Sequence, residues 1–319
     1  MIPYYGPHRW NEILKPTFDH AKIIHVNDHM GGFSKDLNNP YLQKLNEKST
    51  EVRTEYIVTE KLQNKYPNIK FKYYSQYYIR HFSQLSNYTH HPKIEFKNLL
   101  CSFNGSPHVS RQLLVSILNN QGLFDTSFST KNFTMSNDEV IGHLNFLDLT
   151  ADEIELYNKF FYNSKHFNQE IYSIDYTRDE HHNNLIVLQE KLTQSFVHVV
   201  SETMATSYYP FVTEKFLYSI VTRGLFLAYA QPDWHAHLEK YFGFKRYTKV
   251  FYYSFDNIEN PVKRLIRLIE TVSKFRYLNK DYLMDLYLLE KDTIEYNYNH
   301  YFSGDYIKCI KQLDNTDDI

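Results

Sequence analysis

The fold is decided by residues 195–229, SFVHVVSETMATSYYPFVTEKFLYSIVTRGLFLAY. This stretch opens with a continuous apolar and β-branched run at residues 195–200. Such a run predicts a strand that is buried on both faces, as in a parallel sheet, because a strand with one solvated face alternates between apolar and polar residues. The polar residues 201–203 then predict a turn at the end of that strand.

A helix and a second strand follow in the same stretch. Thr213 stands where a helix N-cap is expected, and Gly224 provides the stop signal. Between them, the apolar residues have helical spacing: Phe216, Leu217, Ile220 and Val221. Residues 225–229 predict the next strand, so the stretch predicts a strand–helix–strand unit.

The same alternation continues toward the C-terminus. Pro232-Asp233 begins a short helix that ends at Gly243, and residues 249–253 predict a further strand. Asn260-Pro261 begins an amphipathic helix, whose basic residues predict a solvated outer face: Lys263, Arg264 and Arg267. Strands and helices that alternate in this way predict a doubly wound α/β unit, in which ligands bind at the carboxyl ends of the strands.

Further strands are predicted before residue 195. Residues 96–102 form a strand that runs into an Asn-Gly-Ser-Pro turn, and a helix follows from Val109 to near Gly122. Residues 21–26 and 69–74 each predict a short strand nearer the N-terminus. These segments extend the α/β pattern over most of the chain.

The length of 319 residues favours two lobes over one. The predicted divisions are an N-terminal lobe at 1–94, a larger α/β lobe at 95–290 and a C-terminal extension at 291–319. A cleft between two lobes is the default location of a ligand site.

Composition excludes several classes of protein. Hydrophobic residues make up 42% and charged residues 23%, with a net charge of −2, so the chain lacks the basic excess typical of nucleic-acid binding. It contains no apolar run of transmembrane length and no secretory leader, which predicts a cytoplasmic protein without a membrane span. Cys101 and Cys309 have no paired spacing. With only 9 Gly and no glycine-rich phosphate loop, side chains or a helix N-terminus would have to bind any phosphate.

Two short motifs carry a resemblance to a known family. Residues 199–203, followed across a loop by residues 211–215, resemble the paired motifs of α-1,3-fucosyltransferases, Phe-Glu-Asn-Ser and Tyr-Val/Ile-Thr-Glu-Lys. The stretch is also similar to glycosyltransferase-like proteins of bacteriophages and large DNA viruses, which carry a Leu-x-x-Leu-x-x-x-Gly-Phe phrase where this chain has residues 238–244. The resemblance implies a GT-B fold, with two Rossmann-like lobes and a cleft between them. Residues 1–94 would be the acceptor side, and residues 95–290 would bind the nucleotide sugar.

The resemblance also implies roles for the residues of the second motif. Glu214 would bind the ribose and Lys215 the phosphates, on a helix start capped by Thr213. A lysine in the first turn of a helix opposes the helix dipole, and a bound pyrophosphate would relieve that conflict. The pattern alone favours a solvated lysine beside an ordinary capped helix start, and only the resemblance favours a phosphate ligand.

Contacts with the donor sugar are implied for the first motif and the loop. Glu202 matches the glutamate that faces the sugar, and Tyr208 and Tyr209 in the loop are candidate sugar contacts. Phe211 stands in place of the family's tyrosine, and Thr203 in place of its asparagine. Phe211 argues against calling the chain a fucosyltransferase, and the two departures together keep open a non-catalytic protein with the same fold.

Arg111 is the predicted phosphate ligand on the other side of the site. Residues 102–111 resemble the strand-to-helix turn of the same enzymes, in which an arginine reaches the donor phosphates. A guanidinium can bind two phosphate oxygens at once while charge develops on the departing nucleotide. The alternative is an arginine on the helix surface.

A catalytic base is sought on the other lobe. An inverting transfer requires a carboxylate or imidazole near the acceptor hydroxyl, and Asp28 and His29 follow the first predicted strand. Their Asn-Asp-His-Met-Gly-Gly context is equally typical of an ordinary turn. No His pair at zinc spacing and no Asp-x-Asp motif is present, so no metal is predicted.

The predicted function is sugar transfer from a nucleoside diphosphate donor, a GDP- or UDP-sugar, to a hydroxyl acceptor. The acceptor would be a glycan or a hydroxymethylated base in viral DNA, and a viral protein would act in the host cytoplasm. The alternative is a non-catalytic protein that binds nucleotide or glycan and keeps only the glycosyltransferase fold.

Overall fold

The structure, a computed structural model, describes residues 4–5, 23–26, 40–49, 51–54, 60–73, 82–88, 93–104, 109–123, 127–131, 151, 155, 181–202, 205 and 212–314. These residues form a mixed α/β protein with two four-stranded parallel sheets. The predicted α/β class is therefore confirmed. None of the helices in this part of the chain is both long and apolar enough to cross a membrane.

The first sheet contains four short parallel strands in sequential order. They are β1 (Tyr4–Tyr5), β2 (Ile23–Val26), β3 (Glu51–Thr54) and β4 (Lys70–Tyr73). The strands predicted at residues 21–26 and 69–74 correspond to β2 and β4.

The second sheet is larger, and the deciding stretch lies at its centre. Its strands are β5 (Asn98–Asn104), β6 (Ser127–Lys131), β7 (Ser195–Ser201) and β8 (Leu225–Tyr229), in the order β6-β5-β7-β8. All strands are parallel, and every residue of β7 and β8 is buried. The continuous apolar run thus predicted the central strand correctly, because both of its faces are covered.

Helices connect and cover the strands. The α-helices of the described residues are α1 (Pro40–Glu47), α2 (Glu60–Lys65), α3 (Val109–Asn120), α4 (His181–Thr193), α5 (Leu217–Val221), α6 (Trp234–Phe242), α7 (Pro261–Ser273), α8 (Lys280–Leu289), α9 (Lys291–Phe302) and α10 (Asp305–Asp314). Short 3-10 turns cover Ser83–Leu85 and Glu214–Phe216. The predicted helix from Val109 corresponds to α3, and Gly122 follows it in a left-handed conformation with φ 63°.

The winding of the second sheet reverses at its centre. From β5 the chain crosses to β6 on one side, and from β7 it crosses to β8 on the other. Right-handed crossovers in opposite directions place α3 and α5 on opposite faces. Helix α7 packs against α3 and β8, whereas α4 and α9 pack against α5. The switch point between β5 and β7 is the position at which open α/β sheets bind their ligands.

The C-terminal helices share the core of the second sheet. Tyr301 of α9 and both Tyr306 and Ile310 of α10 are buried in it. Phe82 joins them, with its ring centroid 5.5 Å from that of Phe216, and its carbonyl accepts a hydrogen bond from the Tyr301 hydroxyl. The predicted divisions at 1–94, 95–290 and 291–319 stay predictions.

The helix predicted after Thr213 differs from the expectation at both ends. Its first turn, Glu214–Phe216, is a 3-10 turn, and the Thr213 side chain makes no capping hydrogen bond. Its end lies one residue earlier than predicted, since Arg223 takes the left-handed conformation with φ 55°, and the Gly224 N–H donates to the Ser219 carbonyl at 2.7 Å. Arg223 therefore occupies the position that usually favours glycine.

The strand predicted at residues 249–253 is wrong. Residues 248–250 form a turn, and residues 251–253 have no regular structure. The N–H groups of Lys249 and Val250 donate to the Glu290 carboxylate at 2.6 and 3.1 Å. A buried side-chain acceptor thus takes the place of a neighbouring strand.

The predicted stop signal of α6 and the predicted start of α7 are confirmed. Helix α6 ends at Phe242, and its C-cap Gly243 has a φ of 79°, where an added Cβ would lie 2.7 Å from the His300 ring. Asn260 caps α7 by accepting from the Lys263 N–H at 2.8 Å. Lys263 is exposed as expected, but Arg264 is only 1% exposed, so the predicted outward position of Arg264 is wrong.

Candidate functional site

Glu202 lies at the centre of the candidate site, directly after β7. Its N–H donates to the Tyr229 carbonyl at 3.0 Å, which holds the backbone against the end of β8. Its side chain is fully buried. The carboxylate accepts from the Thr213 N–H at 2.9 Å and from the Thr213 hydroxyl at 2.6 Å. The two predicted motifs are therefore joined through one buried carboxylate.

Lys215 completes this connection. Its ammonium donates to Thr213 Oγ1 at 2.8 Å and lies 3.5 Å from Glu202 Oε2. The Lys215 side chain keeps 22% of its surface exposed, while the Glu202 side chain has none. Since an ammonium has three N–H donors, these two contacts leave one donor for a further acceptor. The ammonium is therefore bound on its inner side and partly exposed on the other, so the interpretation of Lys215 as a solvated lysine stays open.

Arg111 lies in the first turn of α3, on the other side of the switch point. It is only 5% exposed, so the alternative of an arginine on the helix surface is wrong. The neighbouring Ser110 hydroxyl donates to the Glu202 carbonyl at 3.4 Å. This contact holds the start of α3 against the end of β7. Arg111 and Glu202 thus follow the two strands between which the winding of the sheet reverses.

Buried polar side chains line the ends of β5 and β7 on one face. Leu100 pairs with Val197, so the residues four positions later, Asn104 and Ser201, lie on the same face as that pair. The Asn104 amide donates to the Ser102 hydroxyl at 3.2 Å, and all three polar residues are buried. Within the described part of the chain, the buried Ser201 hydroxyl has no hydrogen-bond partner, which is rare for a buried hydroxyl.

The remaining predicted site residues are partly exposed or lie outside the described residues. Glu214 is partly exposed beside Lys215. The predicted catalytic residues Asp28 and His29, and the predicted sugar contacts Tyr208 and Tyr209, lie outside the described residues. Phe211 and Thr203 lie outside them as well.

The buried position of Arg264, near the carboxyl ends of β7 and β8, was not predicted from the sequence. Arg264 lies in the first turn of α7 and donates to backbone carbonyls at the end of β8 and after Glu202. The signal was present in the spacing, because position 264 falls three residues after Pro261 and four before Leu268, and both of these are buried. The positive charge alone led to the outward prediction.

The histidines of α6 have structural partners. The His235 Nε2 accepts from the Ala228 N–H at 2.9 Å, which requires that Nδ1 carry the proton donated to Asp256 at 2.6 Å. Burial acts to raise the pKa of Asp256, but His235 and the N–H groups of His235 and Ala236 hold it below its usual value. His237 Nδ1 lies 2.7 Å from the Asp233 carbonyl. Over the described part of the chain, no three His, Cys, Asp or Glu side chains gather as metal ligands.

Comparison with known proteins gives no assignment. The chain has no significant match to a protein family, a curated protein or a solved structure. The similarity of its two short motifs to those of α-1,3-fucosyltransferases stays a hypothesis. Function has to be inferred from the geometry around Glu202.

Proposed function

We propose that the protein is a glycosyltransferase that uses a nucleoside diphosphate sugar, a GDP- or UDP-sugar, as its donor. One observation carries this proposal: the Glu202 carboxylate joins Thr213 and Lys215 beside the first turn of α3, which holds Arg111, at the switch point of a parallel sheet. Open α/β sheets bind nucleotides at this position. The two motif segments and the arginine were selected by sequence, and they meet at one place in the fold.

The charges favour a diphosphate. Lys215 presents a partly exposed ammonium, and Arg111 lies in the first turn of α3, where the neighbouring Ser110 hydroxyl donates to the Glu202 carbonyl. Two cations on these two helix starts would suit two linked phosphates, and both would stabilise the charge that develops as the nucleotide departs. Glu202 positions Lys215 and Thr213 in the free protein, and Glu214 would accept hydrogen bonds from the ribose hydroxyls.

The proposed reaction is a transfer with inversion in a GT-B arrangement. A base takes the proton of the acceptor hydroxyl, the acceptor oxygen bonds to C1 of the sugar, and the bond from C1 to the phosphate oxygen breaks. The electron pair of that bond leaves with the nucleoside diphosphate. The second sheet would form the donor lobe, and the first sheet the acceptor lobe across a cleft. Asp28 and His29, which follow β2 in the chain, are the proposed source of the base.

Binding of the donor is the first test. In a thermal-shift assay, UDP, GDP and their sugars would be titrated against the wild type, K215A and K263A. Lys263 is an exposed lysine on α7 and serves as the matched control. A ligand at a hundredfold excess over its Kd stabilises the fold by about 2.7 kcal/mol, which raises Tm by several degrees. The wild type and K263A should show this shift, and K215A should lose it. The proposal fails if no nucleotide stabilises the wild type or if K215A responds as the wild type does.

Transfer is the second test, and it separates an enzyme from a binding protein. The wild type would be incubated with the stabilising sugar nucleotide and a panel of glycans and hydroxymethylated duplex DNA. Release of nucleoside diphosphate that depends on an acceptor supports the proposal and identifies the acceptor class. Binding without transfer or donor hydrolysis would instead indicate a non-catalytic nucleotide-binding protein. Retention of duplex DNA at moderate salt would independently favour a DNA acceptor.

A further inference from the structure

Arg264 occupies an unusual environment for a cation. Its guanidinium is buried in the first turn of α7, and it donates to four backbone carbonyls. The Ala230 carbonyl accepts at 2.9 Å and the Glu259 carbonyl at 3.0 Å. The carbonyls of Ile258 and Ala205 are the other two acceptors. One side chain therefore joins three separate segments of the chain.

The most consequential of these contacts is with Ala205. This residue comes three positions after Glu202, on the segment that leads to Thr213. Ala230 directly follows β8. Arg264 thus fixes the chain that leaves Glu202 beside the carboxyl end of β8, on the side of β7 away from Arg111. Ser110 contacts the first motif at Glu202, and Arg264 contacts the chain just after that motif, at Ala205.

Local structure alone does not explain a buried arginine here. The turn before α7 already has its cap, because Asn260 accepts from the Lys263 N–H. Burial of a cation is costly, and the hydrogen-bond acceptors of Arg264 are neutral carbonyls. Asp233, Asp256 and Glu259 act on it only as nearby charges. A planar guanidinium with five donors is distinguished by its ability to bind several segments at once.

We propose that Arg264 is a positioning residue, which fixes the backbone at Ala205, three residues after Glu202, before the sugar nucleotide binds. The proposal rests on the proposed function. A segment that is already anchored loses less conformational freedom when a ligand binds, and the ligand then binds more tightly. Arg264 acts through Ala205.

The test compares R264K with R267K. Arg267 lies on the same helix one turn later, is exposed and pairs with Glu270, so R267K controls for an arginine-to-lysine change in α7. Hydrogen exchange with mass spectrometry would follow peptides that cover residues 203–211, β7 and β8. Calorimetry would measure the Kd of the nucleotide that stabilises the wild type.

R264K should exchange faster at residues 203–211 while β7 and β8 keep their protection, and its nucleotide Kd should rise about tenfold. R267K should change neither quantity. If R264K does not fold, R264Q, which keeps two side-chain donors without the charge, replaces it in both measurements. Unchanged exchange at 203–211, faster exchange across the whole second sheet, or failure of both variants to fold would assign Arg264 to general stability and overturn the proposal.

The two proposals can fail separately. If the wild type binds no nucleotide, the proposed function fails, and the exchange measurement alone decides whether Arg264 orders the segment after Glu202. If the wild type binds nucleotide and R264K binds it equally well with unchanged exchange, only the role of Arg264 falls.

Discussion

The two ends of the second sheet are built from different kinds of side chain. At the carboxyl end of β7, the chain buries three ionisable residues: Arg111, Glu202 and Arg264. At the amino end, β7 begins in a cluster of aromatic rings. Phe196 lies with its ring centroid 5.6 Å from that of Phe96 and 5.4 Å from that of Phe275.

Two polar contacts at the amino end join neutral groups. The Tyr287 hydroxyl donates to the Arg223 carbonyl at 2.9 Å, and the Tyr247 hydroxyl donates to the Gly224 carbonyl at 3.3 Å. Burial raises the pKa of Tyr287 to about 12, so this hydroxyl stays protonated as a donor at neutral pH. These contacts close the turn before β8, and within the described residues the buried Glu290 carboxylate near Tyr247 accepts only from backbone N–H groups, those of Lys249 and Val250.

The difference separates an end that stabilises the fold from the end at which we propose the functional site. Aromatic packing at the amino end contributes directly to stability through buried area and ring contacts. Buried charges at the carboxyl end are costly, and a well-packed apolar group of similar volume often serves stability equally well. Buried charges that cost stability in this way are expected where a protein has a function to perform. Substitutions at the two ends should therefore separate loss of stability from loss of binding.

The largest effect on stability is expected at the amino end. Phe196→Ala should lower the free energy of unfolding by about 3–5 kcal/mol, because it leaves a cavity among three aromatic rings. Phe196→Leu, which keeps more of the volume, should cost about 1.5 kcal/mol. Urea unfolding would measure both. Nucleotide affinity, measured well below the unfolding transition, should stay that of the wild type, and a fall in affinity would contradict the separation of the two ends.

His198 lies between the two ends and predicts a pH dependence. Burial lowers the pKa of His198 to about 3 from its usual 6.5, and its Nδ1 lies 2.8 Å from the Ser219 hydroxyl. The unfolded chain thus binds a proton below pH 6.5 that the folded protein does not bind. Stability is full above pH 6.5 and decreases as pH falls from 6.5 toward 3, by about 1.4 kcal/mol per pH unit.

Urea unfolding at a series of pH values would check this dependence. Between pH 6.5 and 4.5, the wild type should lose about 2–3 kcal/mol more than His198→Asn, which keeps a hydrogen-bonding group but cannot be protonated. Parallel pH profiles for the two proteins would show that His198 does not carry the effect.

At the carboxyl end, a change in binding should exceed the change in stability. Glu202→Gln keeps the shape of the side chain but leaves one acceptor oxygen, so the contacts of Thr213 and Lys215 can no longer all be made. Nucleotide Kd should rise about tenfold, which corresponds to about 1.4 kcal/mol. Calorimetry would measure this change, with Glu239→Gln on α6 as the control. Wild-type affinity in Glu202→Gln would remove the reason to place the site here.

The smallest effect on stability is expected from the backbone conformation of Arg223, at the amino end of the second sheet. Arg223 has φ 55° and pairs through its side chain with Glu295 at 2.8 Å and with the ring of Tyr298. Arg223→Ala loses these contacts and keeps the unfavourable backbone conformation. Arg223→Gly loses the same contacts but removes that penalty, so it should be more stable than Arg223→Ala by about 1 kcal/mol. Equal midpoints in urea would show that the left-handed conformation carries no cost here.

Several features of the fold were predictable because they depend on local pattern. The buried run of β7, the left-handed glycine after α6 and the asparagine cap of α7 all lie where the sequence indicated. The strand predicted at residues 249–253 failed because Glu290, about 40 residues later, supplies the acceptor that replaces a neighbouring strand. Such a partner leaves no mark on the pattern of the segment itself.

The candidate site was likewise predictable in part, and its remaining features depend on distant segments of the chain. The apolar run by itself predicted the central strand, and the resemblance of the short motifs to those of α-1,3-fucosyltransferases selected Arg111, Glu202 and Lys215. Only the tertiary structure decided that Glu202 binds Thr213 and Lys215, that Arg111 is buried and that Arg264 points inward. The physical reason is that apolar periodicity follows from the geometry of a single helix or strand, whereas a buried charge is stable only where distant segments bring hydrogen-bonding partners to it. For Arg264, those partners are the carbonyls that follow Glu202 and β8.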